Sequence, residues 1–201
     1  LALTENSLYT VEAWRSFLDR LSPTGLLTFT RAYAEGDPKE AARLSSLARA
    51  ALASRGVASP GEHIMLVVNQ NQRRSPVFGN ATIVVSASPF TPADVARMRS
   101  ICEELGFRLA VAPGLRDVAV PLLWAAATGE GLAEVAQRWP YRLDAPTDDR
   151  PFFFNLLSLS KISALDAGPN EDSQRTVIRS LLGLLATVAA LSLVCIVAPL
   201  S

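Results

Sequence analysis

The sequence has few of the residues that most often build metal sites and disulfide scaffolds. Its 201 residues include two cysteines and one histidine. Cys102 falls in a helical pattern and Cys195 in an apolar tail, so the two thiols are not expected to bridge or to share a metal. His63 opens a strand-like run, where a structural role is favoured over that of a ligand or base. We therefore expect neither a metal centre nor a disulfide-stabilised domain.

Net charge and a glycine-rich loop are also missing. The formal net charge is +0, which gives no electrostatic footprint for nucleic acid. Gly129 and Gly131 read as a turn between two helices, not as a loop that cradles a nucleotide. Hydrophobic residues make up 49% of the chain and charged residues 19%, which is enough for a buried core and excludes a disordered chain. The sequence starts at Leu1, not methionine, and its last apolar run continues to Ser201, so we expect a fragment of a longer protein.

Helical and strand-like patterns alternate over the first half of the chain. Steps of three and four between apolar residues predict helices, and short β-branched runs predict strands. The predicted order is helix 7–21, strand 26–33, helix 38–56, strand 64–68, strand 81–86, helix 92–106 and a short strand or extended tail at 107–111. This order predicts an α/β fold.

Two cap-then-proline pairs predict where helices begin. Asp37 precedes Pro38 and Thr91 precedes Pro92, so that the side chain caps the helix and the proline lacks an N–H that would be unpaired there anyway. Gly56 is placed as a left-handed residue after the first of these helices.

The strands at 64–68 and 81–86 are joined by a polar loop, 69–80, with no helix between them. Two such strands must pair as a hairpin and are therefore antiparallel. The loop holds Arg73 and Arg74, for which a solvated position is favoured over contact with lipid phosphate.

The last third of the chain changes character. Residues 118–127 and 131–139 read as two short helices, and 158–174 is polar and reads as a linker. From Ser180 to Ser201 roughly 22 residues carry no charge, and about 20 suffice to cross the hydrocarbon core of a bilayer, so a transmembrane helix is predicted over a buried core helix. The basic residues Lys161, Arg175 and Arg179 precede this run, which places the folded part on the cytoplasmic side.

The element order resembles the second half of a class I S-adenosylmethionine-dependent methyltransferase fold, in which a parallel sheet ends with an antiparallel strand inserted by a hairpin. The segment Leu3–Trp14 is similar to the stretch that follows the catalytic aspartate loop in spermidine synthases. There a Leu-Phe-Thr-x-Glu-aromatic pattern opens a helix, and Leu8–Glu12 reads LYTVE, with tyrosine in place of phenylalanine. Together with Thr147–Phe154, which reads TDDRPFFF, and the apolar tail, the whole chain resembles the multi-spanning, spermidine synthase-like membrane proteins of bacteria.

The resemblance implies four parts. Residues 1–112 would be the carboxyl-terminal half of the Rossmann-like domain, 113–157 a helical extension ending in TDDRPFFF, 158–176 a linker and 177–201 a truncated transmembrane helix. The protein would lie in the bacterial inner membrane with its folded part in the cytoplasm. Its partners would be the lipid bilayer, the missing amino-terminal half of the domain and a polyamine or other small amine. Oligomeric state stays open, a homodimer included.

The resemblance also implies aminopropyl or methyl transfer from decarboxylated S-adenosylmethionine or S-adenosylmethionine. The residues that bind the cofactor belong to the first half of that fold, and the catalytic acid would precede Leu1, so this chain alone should bind no cofactor and be inactive. A second hypothesis is a non-catalytic membrane protein that keeps the fold as a binding or assembly module. A third is a soluble enzyme fragment whose tail is a core helix.

Five residues are candidates for contact with substrate: Glu5, Asn6, Tyr9, Asp148 and Asp149. Glu5, Asn6 and Tyr9 would sit at the mouth of the cleft, at the carboxyl end of a parallel strand. The alternative is that Glu5 and Asn6 cap the helix through Trp14 and that Tyr9 packs beneath it.

Asp148 and Asp149 could hold a cationic amine, or they could lie in a solvated loop whose arginine pairs with one of them. Pro151 makes Arg150 extended, so the acids and the following aromatics are expected to point apart. For Phe152–Phe154, covering the core is favoured over a place at the bilayer interface.

Overall fold

The computed structural model describes residues 7–34, 36–69, 79–116, 120–137, 139, 141–156, 173–193 and 195. The chain divides into two compact units, Leu1–Leu159 and Ser160–Ser201. The first is a mixed α/β unit with an antiparallel sheet, and the second contains one long helix.

The first helix, α1, runs over Val11–Asp19 and is followed by strand β1, Leu26–Tyr33. The hydroxyl of Thr10 accepts from the backbone N–H of Ala13 at 3.2 Å, which fixes the start of α1 within the predicted range 7–21. Inward-facing residues of β1 alternate with exposed ones, as expected for a strand with one covered face. The predicted bounds of β1 are confirmed.

Helix α2 spans Lys39–Ser54 and carries the largest share of the core. The prediction that Asp37 caps it is wrong, because Pro38 occupies the cap position and makes no side-chain cap bond. The carboxylate of Asp37 instead pairs with Lys39 Nζ at 2.6 Å. Gly56 has a φ of 83°, so its predicted left-handed conformation is confirmed.

After a turn of 3₁₀ helix at Pro60–His63, strand β2 spans Ile64–Asn69 and strand β3 spans Gly79–Ser86. Most of the predicted loop between them, including Arg73 and Arg74, lies outside the described residues. The two strands pair antiparallel with Leu66 opposite Ile83, which confirms the predicted hairpin.

Helix α3 follows at Pro92–Leu105 and begins with the predicted cap. Thr91 Oγ1 accepts from the N–H of Asp94, and the Thr91 N–H donates to the Asp94 carboxylate at 2.8 Å. Hydrogen bonds from the Thr91 hydroxyl and backbone hold the pKa of Asp94 below its ordinary value. Gly106 closes the helix with a φ of 68°.

The chain then forms strand β4 at Arg108–Ala112 and the two-residue strand β5 at Leu115–Arg116. The segment left open as a strand or an extended tail is therefore a strand. The order across the sheet is β1-β3-β2-β4-β5.

The expectation of a mainly parallel sheet is wrong for the described residues, because every neighbouring pair there is antiparallel. β1 and β2 run in the same direction, but β3 lies between them and opposes both. α3 carries the chain back along the sheet, so β4 enters beside β2 from the opposite end.

Side chains on the two faces of the sheet belong to two separate cores. On one face, Leu66, Ile83 and Val85 pack with Leu44 and Leu47 of α2 and with further buried side chains from α1. On the other face, Met65, Val84 and Leu109 pack with Val95 and Cys102 of α3. The second face of β1 is left uncovered by described residues, and Leu26 is 51% exposed there.

Two short helices complete the first unit: α4 at Pro121–Thr128 and α5 at Leu132–Gln137. The predicted glycine turn separates them, with φ values of 88° at Gly129 and 63° at Gly131. Both helices pack on the α2 side of the sheet.

The second unit contains helix α6, Ser173–Ser192. Between Leu181 and Leu191 its large apolar side chains are exposed. No helix within the described residues is long and apolar enough to cross a membrane. The end of the predicted span, 196–201, and most of the predicted linker lie outside those residues.

Candidate functional site

Tyr9 lies in the turn just before α1 and is 8% exposed. Its ring stacks on Phe153 with the centroids 4.6 Å apart and also contacts Phe29 and Phe154. Tyr9 is therefore part of the core, as the alternative interpretation of this residue held. Its hydroxyl is the part that reaches a polar neighbour.

That neighbour is Arg31, which the sequence reasoning missed. Its Nη1 lies 3.4 Å from the Tyr9 hydroxyl, and its Nε donates to Glu40 Oε2 at 3.1 Å. The guanidinium also stacks over the ring of Phe154, 4.6 Å from its centroid. The feature of the sequence that could have identified Arg31 is its charge at an inward-facing position of β1, between Phe29 and Tyr33.

Trp14 fixes the helix that follows Tyr9. It is fully buried, stacks on Phe29 with centroids 4.8 Å apart, and donates from Nε1 to the carbonyl of Leu8 at 3.1 Å. Only six residues join the end of α1 at Asp19 to the start of β1 at Leu26, and the Tyr9 hydroxyl before α1 reaches Arg31 farther along β1, so α1 runs antiparallel to β1. The turn holding Tyr9 therefore lies toward the carboxyl end of β1.

The segment Thr147–Phe154 lies against the start of α1. The Val11 N–H donates to the carbonyl of Pro146 at 2.9 Å, and the Asp148 N–H donates to Glu12 Oε2 at 3.0 Å. Thr147 and Arg150 form a β-bridge. This segment and the Tyr9 turn thus share the first turn of α1.

Acids and aromatics separate within this segment, as predicted from Pro151. Asp148 and Asp149 are exposed, whereas Phe153 is 0% exposed and lies in the core. Phe154 is half-buried on Arg31. Phe152 is 53% exposed, so the expectation that the phenylalanines cover the core is confirmed for Phe153 and wrong for Phe152.

Three of the five residues predicted to contact substrate lie within the described part of the chain. Tyr9 is buried, and Asp148 and Asp149 are exposed at the first turn of α1, where their carboxylates are accessible to a cation. Glu5 and Asn6 lie outside the described residues.

The histidine and both cysteines lie within the described residues. No group of three or more His, Cys, Asp or Glu residues within the described ranges is placed to hold a metal ion. His63 is buried, and its Nδ1 lies 3.1 Å from the carbonyl of Ser86. Cys102 and Cys195 are both free, and burial, with a smaller contribution from Glu103, raises the pKa of the Cys102 thiol.

A cavity of about 310 Å³ lies elsewhere, between the 3₁₀ turn and the α4–α5 turn. Glu62, Trp124 and Glu130 are among the residues that line it. Tyr9, Asp148 and Asp149, the predicted contact residues that the structure describes, do not line this cavity.

Comparison with known proteins gave no match to a family model, to a curated protein or to a solved structure.

Proposed function

We propose that this chain is the carboxyl-terminal part of a membrane-anchored, spermidine synthase-like transferase that moves an aminopropyl or methyl group. The observation that carries the proposal is the strand order β1-β3-β2, in which a hairpin strand opposes two strands of one direction. This insertion is the feature by which the sequence resembles the end of a class I methyltransferase sheet. A plain antiparallel meander would have placed β2 next to β1.

The position of the candidate residues agrees with that fold. α1 runs back along β1, so the Tyr9 turn and the Asp148 carboxylate lie near the carboxyl end of a strand. In α/β folds, ligands bind at that edge of the sheet. We assign Asp148 and Asp149 to contact with the amine acceptor, with Glu5 and Asn6 as further contacts. Tyr9 would form the wall behind them.

The described residues do not themselves fit S-adenosylmethionine or its decarboxylated form. No left-handed glycine in them stands in a loop that follows a parallel strand and opens a helix. The cofactor would be held by the preceding half of the domain, which would pair along β1, and the catalytic acid would also come from there. In the described sheet β1 lies at one end of the strand order, so its outer edge is open to pairing with such a neighbour.

For the carboxyl-terminal region we propose insertion into the bacterial inner membrane, with the first unit on the cytoplasmic side. The support is the uncharged stretch from Ser180 to Ser201 and the exposed apolar side chains of α6.

A non-catalytic assembly module is the second candidate function. The observation in its favour is that Tyr9 is held in an aromatic core and that Asp148 is bonded through its backbone to α1, both of which serve the fold. Under this alternative the membrane protein keeps the domain as a docking unit and transfers no group.

Isothermal titration with S-adenosylmethionine and decarboxylated S-adenosylmethionine tests the proposal. We expect saturable micromolar binding of one of them to a longer form that includes the preceding half, and no binding to the 201-residue chain. Adenosine serves as the control ligand for non-specific binding. Saturable binding to the 201-residue chain would contradict the proposal that the preceding half of the domain holds the cofactor. A longer form that binds neither compound would favour the assembly module.

A further inference from the structure

Arg43 is a buried arginine in the first half of α2. Its side chain is 3% exposed, and the nearest carboxylate oxygen, on exposed Asp144, is 4.0 Å away. Burial lowers the pKa of Arg43, and the Asp144 carboxylate partly offsets that effect. Burying a guanidinium lowers the stability of the fold unless hydrogen bonds to the protein replace those it made to water. The hydrogen-bond partners of Arg43 therefore indicate its role.

Those partners are backbone carbonyls of one loop. We call residues 142–156 the closing loop, because the Arg142 N–H donates to the carbonyl of Leu156 at 2.6 Å and joins its two ends. Arg43 Nε donates to the carbonyl of Asp144 at 3.2 Å, on the segment by which the chain enters the closing loop, which we call its first leg. Its Nη1 donates to the carbonyls of Phe153 and Asn155, at 2.8 and 2.7 Å, on the segment by which the chain leaves the loop, its second leg.

The tip of the closing loop carries the exposed acids and touches α1. Pro146 and Asp148 are bonded there to Val11 and Glu12. On the second leg, the ring of Phe153 stacks on Tyr9. One guanidinium therefore holds the base of a loop whose tip and inner face contact the candidate residues.

We propose that Arg43 is a positioning residue for this surface, joining both legs of the closing loop so that Asp148 and Asp149 stay beside the first turn of α1 and Phe153 stays on Tyr9. The planar fork of arginine suits this task, because it reaches carbonyls on two chain segments at once, which a lysine ammonium does not do in the same way. The role of the surface in substrate contact rests on the proposed function. The positioning itself does not.

Amide hydrogen exchange on the full chain tests the positioning. In Arg43→Met, we expect the amides of Val11 and Arg142 to exchange at least about tenfold faster, since their bonds hold the tip and the base of the loop. The amides of Leu66 and Ile83, in the centre of the sheet, should stay within about twofold of wild type. Equal acceleration at all four amides, or none at Val11 and Arg142, would overturn the proposal.

Arg49→Met is the matched control. Arg49 lies on the same helix and also donates to a backbone carbonyl, that of Ala126 at 3.1 Å, which lies in α4 and not in the closing loop. Its loss should leave Val11 and Arg142 at wild-type exchange rates, and acceleration there would show that the effect is not specific to Arg43.

Arg43→Lys keeps the charge and supplies the same readouts if the methionine variant does not fold. We expect it to reproduce the faster exchange at Val11 and Arg142. Wild-type exchange rates in this variant would contradict the proposal that the arginine fork is needed to join both legs of the closing loop. In a catalytically active longer form, Arg43→Lys should raise KM for the amine several-fold more than it lowers kcat. An inactive wild type would refute the proposed function and leave the exchange result standing.

Discussion

Phe153→Ala is expected to lower the free energy of unfolding by about 3–5 kcal/mol, the usual cost of removing a fully buried phenylalanine. Its ring is 0% exposed and contacts both Tyr9 and Phe154, with the Arg43 guanidinium 5.8 Å from its centroid. The alanine would leave a cavity between the closing loop and the turn before α1. Urea unfolding followed by circular dichroism measures the effect.

Phe152→Ala provides the control within the same three-residue run. Phe152 is 53% exposed, so its truncation should change stability by no more than about 0.5 kcal/mol. Equal losses from the two substitutions would contradict the described division of the run into one core residue and one surface residue.

Trp14→Ala is expected to cost a similar amount, about 3–5 kcal/mol. The substitution removes a fully buried indole, its stacking on Phe29 and the hydrogen bond from Nε1 to the carbonyl of Leu8. The Leu8 carbonyl would lose its hydrogen bond from the indole, and α1 would lose its stacking contact with Phe29 of β1. Chemical unfolding should be followed by circular dichroism, because the substitution removes a fluorophore.

Arg15→Ala, one residue further along α1, is the matched control. Its side chain is 57% exposed and its ion pair with Asp19 spans 3.9 Å, so its loss should change stability by no more than about 0.5 kcal/mol. A large loss from Arg15→Ala would mean that α1 is held through its outer face, against the packing described above.

Local patterns predicted local structure well in this chain. The alternation in Leu26–Tyr33 predicted β1 at its observed bounds, and Thr91 with Pro92 predicted the start of α3. Short apolar runs with no helix between them predicted the hairpin of β2 and β3. In each case the deciding interactions lie within a few residues or within one pair of adjacent strands.

The sequence was less informative wherever a contact joins distant segments. Arg43 reaches carbonyls 101 to 112 residues away, and no spacing rule connects an arginine on one helix to an irregular loop that far along the chain. Arg31 was missed for the same reason, since its partners come from the turn before α1, from α2 and from the closing loop. The resemblance implied the antiparallel hairpin strand, but the antiparallel pairing of β4 with β2 was not predicted, because it depends on the path that α3 takes along the sheet.

The segment Thr147–Phe154 has two distinct physical roles. Its aromatic part closes the core through Phe153, while its acidic part lies exposed at the start of α1. The sequence predicted substrate contact for Asp148 and Asp149 alone and a place in the core for the aromatics. The structure leaves both acids exposed and buries Phe153.

The most direct test of the proposed function is the nucleoside released by a longer form that includes the preceding half of the domain. Incubated with a polyamine and each sulfonium donor, it should release methylthioadenosine if an aminopropyl group moves, or S-adenosylhomocysteine if a methyl group moves. Asp148→Asn together with Asp149→Asn should raise KM for the amine. A folded longer form that releases neither nucleoside above the no-enzyme control would contradict the assignment to a transferase.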